Sequence, residues 1–240
     1  MQQKYDIIQN IVVCNNSAHY IGEGNFVLKS TVFNGLTDSE AKKLARNIKA
    51  KKEKCNINEI IMSYNFNSGI VGIILSGEAE LVCYDYDGNK ILLEQYENGD
   101  IFGPSFATLS GVDEPQVVAT KKCEVLFFDY KKALTYCLGN GETYIPFIHN
   151  ILGCIENNTR KRASRIEVLT KRSLRSKLMA YFESQVKEKD LLSFTLPFSL
   201  YTLADYLSVD RSAMQREMKK LRDEGIITSK GKKIELLKRL

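Results

Sequence analysis

The sequence predicts an α+β fold, with an antiparallel, jelly-roll-like β-roll first, one long helix next and a winged helix-turn-helix last. Three observations support this order. Short alternating apolar segments fill residues 59–129, a long helical pattern starts at Thr143, and a tight helix pair precedes a lysine-rich hairpin. We therefore divide the chain into residues 1–140, 141–170 and 171–240, one range for each part.

The first elements are an amphipathic helix and a series of strands. The helix is predicted over residues 37–54, with Thr37 or Asp38 as its N-cap. β-branched and aromatic residues then dominate six short segments: EIIMSY, IVGIILS, EAELVCYDY, KILLEQYE, VVAT and CEVLFFD. Turn signals at Ser76-Gly77, Asp87-Gly88 and Asn98-Gly99 are eleven residues apart. Regular turns of this kind predict antiparallel strands wound into a sandwich or roll.

The long helix carries a stripe with alternating spacings of four and three. Pro146 lies in its first turn, where a missing N–H costs little. The stripe is apolar first and polar later: Tyr144, Ile148, Ile151, Ile155, Asn158 and Arg162. Such a stripe is typical of a helix–helix seam. It either packs on its own domain or, because Ile145, Phe147 and Leu152 widen it, also contacts a second copy. We expect dimerisation through this helix.

Two elements connect the long helix to the helix pair. The segment SLRSKLMAYFESQV is predicted to be helical, with Leu174, Leu178, Tyr181 and Phe182 on one face. The segment SFTLPFSLY is short and extended around Pro197.

The stretch LADYLSVDRSAMQREMKKLRDEGII, at residues 203–227, predicts two short helices joined by a tight turn. The first helix ends at Leu207, residues 208 and 209 form the turn, and Asp210 is a good N-cap for the second helix. Gly225 suits the left-handed position that ends a helix. Apolar residues at spacings of four and three give the second helix a buried face: Met214, Met218 and Leu221.

The outer face of the second helix is basic and polar, as a DNA-reading helix requires. The major groove admits one helix, Arg can bond guanine bidentately, and Gln can bond adenine. Lysines on the final hairpin suit phosphates, which add affinity without sequence information. A helical hairpin that merely packs, with a solvated charged face, is the alternative. The candidate DNA-binding residues are Arg211, Ser212, Gln215, Arg216, Lys219, Lys230, Lys232 and Lys233.

The charge distribution supports the same partner. The formal net charge is +5. Residues 1–140 hold 14 Lys and Arg against 17 Asp and Glu, whereas residues 141–240 hold 20 against 12. A basic C-terminal part favours a polyanion such as nucleic acid. An ordinary solvated lysine surface would give the same counts.

The composition argues against an enzyme, a metal site and a membrane protein. The six cysteines show no Cys-x-x-Cys pair, and the histidines are His19 and His149 alone. No glycine-rich phosphate loop precedes a helix. The sequence shows no signal-peptide pattern and no apolar run near the roughly eighteen residues of a membrane helix. We expect a cytoplasmic protein without a cofactor, whose thiols are mostly buried.

In this order the elements resemble the CRP/FNR transcription regulators, named for the cyclic-AMP receptor protein and the fumarate–nitrate reduction regulator. The resemblance covers roughly residues 50–240 and rests on GIVGIILSGEAELVCYDYDGNKILLEQYENGDIFG, CEVLFFDYKKAL, the long helix and the helix-turn-helix. It implies a homodimer, a palindromic operator in double-stranded DNA and a small-molecule effector in the β-roll. RNA polymerase is a further candidate partner.

The resemblance also assigns positions on the second helix of the pair. Arg216 matches the arginine that the family uses to read guanine. Arg211 and Ser212 match two other base-facing positions. Family members often have Glu where this chain has Ser212, so the family's usual half-site is not expected here.

The expected effector site departs from that of the cyclic-nucleotide-binding members. Those members carry a Gly-Glu-Leu motif that is followed by Arg-Ser or Arg-Thr. The matching stretch of this chain is GPSFATLSGVDEPQVVAT, in which Pro104 stands in place of the Glu. No Arg or Lys occurs between Asp100 and Thr120 to neutralise a phosphate. Cyclic AMP is therefore not the expected effector, whose identity stays open. The candidate pocket residues are Gly103, Pro104, Ser105, Asn158, Thr159 and Arg160, although Arg160 could instead be exposed or pair across a dimer.

A second function class remains: an effector-binding module that controls a protein partner without binding DNA. It would keep the β-roll. It would not explain Arg211, Gln215, Arg216 and the lysine-rich hairpin.

Overall fold

The computed structural model describes residues 19–20, 30–64, 69–88, 90–103, 115–189 and 192–237. The chain forms two compact units, Met1–Thr159 and Arg160–Leu240, and the division falls within the long helix. In the parts of the chain just given, no helix is long and apolar enough to cross a membrane. The same residues contain no group of three or more side chains able to hold a metal ion.

The N-terminal unit contains two antiparallel sheets. Its strands are β1 (His19–Tyr20), β2 (Lys51–Cys55), β3 (Ile60–Ser63), β4 (Ile70–Ser76), β5 (Ala79–Tyr84), β6 (Lys90–Tyr96), β7 (Ile101–Phe102), β8 (Gln116–Ala119) and β9 (Cys123–Asp129). One sheet has the order β1-β2-β9-β4-β7 and the other β3-β8-β5-β6. Gly77, Gly88 and Gly99 adopt φ values of 91°, 78° and 90° at the predicted turns. The predicted antiparallel β-roll is confirmed.

The described residues of this unit also form α-helices: α1 (Asp38–Asn47), α2 (Tyr130–Gly139) and the first part of α3 (Ile145–Leu169). Thr37 is the N-cap of α1, and it forms a capping box with Glu40. Asp129 caps α2 by accepting from the backbone N–H groups of Lys131 and Lys132. The long helix begins after a short 3₁₀ turn, Gly141–Tyr144.

The β1-β2-β9-β4-β7 sheet separates two apolar clusters because successive side chains of a strand point to opposite faces. Val71 and Phe128 pack with the helices on one face. Phe102 and Phe127 pack between the two sheets on the other. Gly72 makes room for Phe102, since a Cβ at Gly72 would lie 2.3 Å from the aromatic ring.

The helix predicted over residues 37–54 is too long, because it ends at Asn47. Lys49 has a φ of 52°, which breaks the helix, and residues 51–55 form β2 instead. β2 pairs with β9, which buries Glu53 and Cys55 and leaves the alternate lysines nearer the solvent. Pairing with β9, about seventy positions away in the sequence, therefore outweighs the helix propensity of the lysine-rich residues 51–54.

The apolar part of the seam predicted along α3 packs against its own unit, as both readings of the stripe expect. Its apolar members belong to the cluster that contains Val71 and Phe128 or pack against it: Tyr144, Ile148, Ile151 and Ile155. Asn158 is also buried, and its Nδ2 donates to the carbonyl of Ile101 at 2.5 Å. Among the residues that widen the stripe, Phe147 is buried, whereas Ile145 and Leu152 are 47% and 57% exposed.

The C-terminal unit contains α4 (Leu174–Lys189), β10 (Ser193–Thr195), α5 (Leu200–Leu207), α6 (Arg211–Asp223), β11 (Ile227–Lys230) and β12 (Lys233–Leu236). Its strands form an antiparallel sheet in the order β10-β12-β11. One apolar cluster joins these elements, and its fully buried members include Leu178, Phe182, Leu203, Leu207, Met214, Met218, Leu221 and Ile234. The predicted winged helix-turn-helix is confirmed.

The described cysteines are mostly buried, as the composition predicts. Cys55, Cys83, Cys123 and Cys137 are buried and Cys154 is half-buried. Burial raises the pKa of Cys137 to about 11, so its thiol stays protonated at neutral pH. Cys14 lies outside the described residues.

Candidate nucleic-acid interface

The turn between α5 and α6 is fixed by local hydrogen bonds at each helix end. Ser199 caps α5, its hydroxyl accepting from the backbone N–H of Thr202. Ser208 ends α5 in the left-handed conformation with a φ of 52°. Gly225 follows α6 with a φ of 65°, in the predicted left-handed position. These signals are local in sequence, which is why the helix pair could be predicted.

The two faces of α6 differ as predicted. Met214, Met218 and Leu221 are buried in the apolar cluster of this unit. The candidate reading side chains on the opposite face are all exposed: Arg211, Ser212, Gln215, Arg216 and Lys219. The helix therefore presents one continuous polar and basic surface to the solvent, and a major groove admits one α-helix.

Asp210 organises the first turn of α6. Its Oδ1 accepts from the backbone N–H of Ala213 and from the hydroxyl of Ser212, both at 2.7 Å. The hydrogen bond from Ser212, followed by the one from Ala213, lowers the pKa of Asp210 below its ordinary value of 3.8. Ser212 is thus exposed but already bonded to the cap.

Arg211 is held against α5. Its Nη2 lies 3.1 Å from both carboxylate oxygens of Asp205. Its guanidinium also lies over the ring of Tyr201, 5.6 Å from the ring centroid. The arginine side chain remains 58% exposed, so the pair neutralises Asp205 while leaving the guanidinium at the surface. Sequence reasoning missed both Asp205 and Tyr201, since neither stands in the second helix.

Arg216 lies along the surface of α6. Its Nε donates to the backbone carbonyl of Ser212 at 3.4 Å, a long contact that a base or phosphate could replace. Gln215 and Lys219 flank it on the exposed side. These side chains are therefore on the face of α6 opposite the buried one.

The hairpin of β11 and β12 forms the predicted wing. Lys230 and Lys233 face each other across the hairpin, and Lys232 lies in the turn between them. All three lysines are exposed. The wing is attached to the rest of the unit by a backbone hydrogen bond from Leu196 to the carbonyl of Lys232 at 2.8 Å. Three cations at the tip of a rigid hairpin suit a phosphate backbone.

Basic residues outside the helix pair brace the interface. Arg175 of α4 forms a bidentate ion pair with Glu224 just beyond α6, and its Nη1 lies 3.7 Å from Glu217. Lys177 donates to the last carbonyl of α5, that of Leu207, at 3.3 Å. These contacts turn two carboxylates of the α6 region toward α4, away from the exposed basic face. The sequence gives no local signal for them, since Arg175 and Glu224 are 49 positions apart.

A further brace joins the C-terminal part of α3 to α5. The guanidinium of Arg165 donates to the carbonyl of Tyr206 at 3.1 Å and stacks on its ring, 4.6 Å from the centroid. Burial raises the pKa of Tyr206, although Arg165 opposes this shift. The tyrosine therefore stays neutral and serves as a packing surface.

The candidate effector residues are only partly within the described chain. Pro104 and Ser105 lie outside it. The backbone N–H of Gly103 donates to the hydroxyl of Tyr64 at 2.9 Å. Asn158 is bonded to Ile101, two positions before Gly103, so the structure brings these two candidates close together.

The other two candidates on α3 are exposed. Thr159 donates to the carbonyl of Ile155 in its own helix at 2.8 Å. Arg160 lies at the surface, which agrees with the alternative reading for this residue.

Comparisons with known proteins support the same two-part organisation. A family profile described as the cyclic nucleotide-binding domain matches residues 53–140. A profile described as the Crp-like helix-turn-helix domain matches residues 174–239. No curated protein sequence matches the chain significantly.

Solved structures share the fold at low sequence identity. A CooA mutant from Carboxydothermus hydrogenoformans has a TM-score of 0.67 at 15% identity, over 86% of this chain and 90% of that one. The c-di-GMP-responsive global regulator CLP from Xanthomonas campestris has a TM-score of 0.58 at 18% identity, over 82% and 97%. FixK2 from Bradyrhizobium japonicum has a TM-score of 0.57 at 17% identity, over 79% and 93%.

The β-roll, the long helix and the winged helix-turn-helix define a two-part regulator that binds DNA. With both profiles matched in this order, the chain belongs to the CRP/FNR family and is a CRP/FNR-type transcription regulator. The expected family membership and function class are confirmed. The alternative of an effector-binding module without a DNA-binding domain gains no support.

Proposed function

We propose that this regulator places α6 in the major groove of a palindromic operator and lays its wing along the phosphate backbone. The observation that carries the proposal is the division of α6 into a buried apolar face and an exposed polar and basic face. Base edges are read by Arg211, Ser212, Gln215 and Arg216. Phosphates are contacted by Lys219, Lys230, Lys232 and Lys233.

The proposed operator is palindromic because the protein acts as a homodimer. Ile145 and Leu152 are seven residues apart on α3, and both remain exposed. Thr159, seven residues after Leu152, is also exposed. Ile166, a further seven residues along the sequence, is 61% exposed. Three of these four positions are apolar, and a recurrence every seven residues is that of one of the two heptad positions in a coiled-coil seam. The second copy therefore binds the outer face of α3, while the seam predicted from the sequence packs inward.

The proposed effector binds the β-roll and is not cyclic AMP. This rests on Pro104 and on the lack of Arg or Lys between Asp100 and Thr120. Asn158 supports a polar ligand, because its Oδ1 is buried without a hydrogen-bond partner among the described residues. Different effectors are expected within one fold, since the structurally similar Xanthomonas regulator is described as responsive to c-di-GMP.

The remaining elements of the proposal follow from the role of a transcription regulator. The protein binds its ligands without transforming them, acts in the cytoplasm, and contacts RNA polymerase at promoters. It binds DNA through hydrogen bonds and ion pairs and needs no cofactor to do so.

Selection of bound duplexes from a random library tests the proposal. We expect enrichment of a palindrome whose half-sites are separated by about one helical turn, roughly 10 base pairs. The selection is repeated with cell extract to reveal an effector that raises affinity. Failure to enrich any sequence under either condition would contradict sequence-specific binding.

A further inference from the structure

We propose that Asp210 sets the base preference of Ser212, by holding its hydroxyl proton so that the hydroxyl can only accept hydrogen bonds from DNA. This inference rests on the proposed function, since it requires α6 to lie in the major groove. Ser212 then reads an amino-bearing base edge, and Asp210 acts as a positioning residue that does not contact DNA.

The first step is the direction of the hydrogen bond between the two side chains. Ser212 Oγ lies 2.7 Å from Asp210 Oδ1. An ionised carboxylate accepts but cannot donate, so the proton in this bond belongs to the serine. The pKa of Asp210 lies below 3.8, which keeps the carboxylate ionised at neutral pH.

The second step is the rigidity of the acceptor. The same Oδ1 accepts from the backbone N–H of Ala213 at 2.7 Å, as the N-cap of α6. The carboxylate is therefore fixed by the helix itself. A hydroxyl has one proton and two lone pairs, and with the proton directed at Asp210 only the lone pairs face outward.

The third step is the code of the major groove. Cytosine N4 and adenine N6 donate there, whereas guanine N7 and O6 and thymine O4 accept. A serine whose proton is already used discriminates between these two classes. A serine with a free proton would bond to either. Ser212 lies on the exposed face one turn from Arg216, so the two residues read neighbouring base pairs.

The test is a binding selection on full-length wild type and on three variants, with a melting curve for each. Ser212→Ala removes the acceptor. Asp210→Gly removes the acceptor and so frees the serine proton, and glycine is itself tolerated at an N-cap. Ser164→Ala, at an exposed serine of α3, is the matched control.

Wild type and Ser164→Ala are expected to prefer cytosine or adenine over guanine and thymine at one symmetric pair of operator positions. Ser212→Ala should weaken that preference by about fivefold, the scale of one hydrogen bond. Asp210→Gly should weaken it at the same positions, although Ser212 is still present, because a hydroxyl with a free proton can bond to either class of base edge.

Three outcomes would overturn the inference, and the third would also overturn the proposed function. If Ser212→Ala keeps the wild-type preference, Ser212 does not read a base. If Ser212→Ala loses the preference but Asp210→Gly keeps it, the carboxylate does not set the role of the hydroxyl. If wild type itself enriches no sequence, the proposed function fails, and this inference fails with it.

Discussion

Asp210 fixes the start of α6, because the backbone N–H of Ala213 donates to Asp210 Oδ1 at 2.7 Å. Together with the stronger effect of the Ser212 hydroxyl, this bond holds the pKa of Asp210 below 3.8 in the folded protein. A carboxyl group with a lowered folded pKa contributes stability that is fully present above its unfolded pKa. That contribution is lost as the pH falls through the folded pKa.

The first prediction uses this pH window. Asn also caps a helix but does not titrate, so Asp210→Asn isolates the charge. We expect the difference in unfolding free energy between wild type and Asp210→Asn to be constant from about pH 7 to about pH 5. Below 3.8 it should shift in favour of the Asn variant. Urea unfolding across this range measures the difference, and a value that stays constant to about pH 3 would contradict the assigned cap.

The second prediction concerns the wing. If Lys230, Lys232 and Lys233 contact phosphates, replacing all three with Ala lowers the slope of log affinity against log salt by about 2–3 units for a dimer that partly engages both wings. Binding should weaken alike for all sequences, because phosphate contacts carry no base information.

A variant with Lys43, Lys54 and Lys122 replaced by Ala is the control for the wing. These lysines are exposed in the N-terminal unit, so the net charge changes equally. The control should keep the wild-type slope. An unchanged slope in the wing variant would show that the wing does not lie on the backbone.

The third prediction concerns the dimer. Leu152→Glu places a charge on the exposed seven-residue stripe of α3, so we expect it to shift the protein from dimer to monomer in sedimentation at micromolar concentration. Leu138→Glu is the matched control, since Leu138 of α2 is 70% exposed and lies off the stripe. Equal dimer fractions in wild type and both variants would exclude this face as the interface.

The fourth prediction concerns the effector. Cyclic AMP should neither raise the melting temperature nor increase DNA affinity, because Pro104 stands in place of the Glu of the cyclic-nucleotide-binding members and no Arg or Lys occurs between Asp100 and Thr120. A ligand that binds only the folded state must stabilise it. A thermal shift of several degrees with cyclic AMP would therefore overturn the prediction.

The sequence could predict the elements that local signals define. The cap at Asp210, the left-handed Gly225 and the turn glycines of the β-roll each act within a few residues. The strand at residues 51–55 could not be predicted, because its pairing with residues 123–127 outweighs a helical local pattern.

The sequence predicts which side of α6 is exposed, but it does not predict the contacts that the exposed side chains make. The pattern of Met214, Met218 and Leu221 identifies the exposed side of α6. It does not show that Arg211 pairs with Asp205, since that choice depends on how α5 packs on α6. The packing of α3 could not be fully predicted either. Its apolar stripe is wide, so the sequence does not show which of these residues face the helix's own unit and which remain exposed.

The most direct test of the account is a binding selection on wild type, Arg216→Ala and Arg216→Lys, with a melting curve for each. Arg216 lies on the exposed face of α6, and its planar guanidinium can bond both O6 and N7 of guanine. Arg216→Ala should cost about 1–3 kcal/mol per half-site and relax the preference at one symmetric pair of positions, with little change in melting. Arg216→Lys should not restore the full preference, because one ammonium lacks the bidentate geometry. The same preferred sequence with uniformly weaker binding in Arg216→Ala would contradict the account, since Arg216 would then contact a phosphate instead of a base.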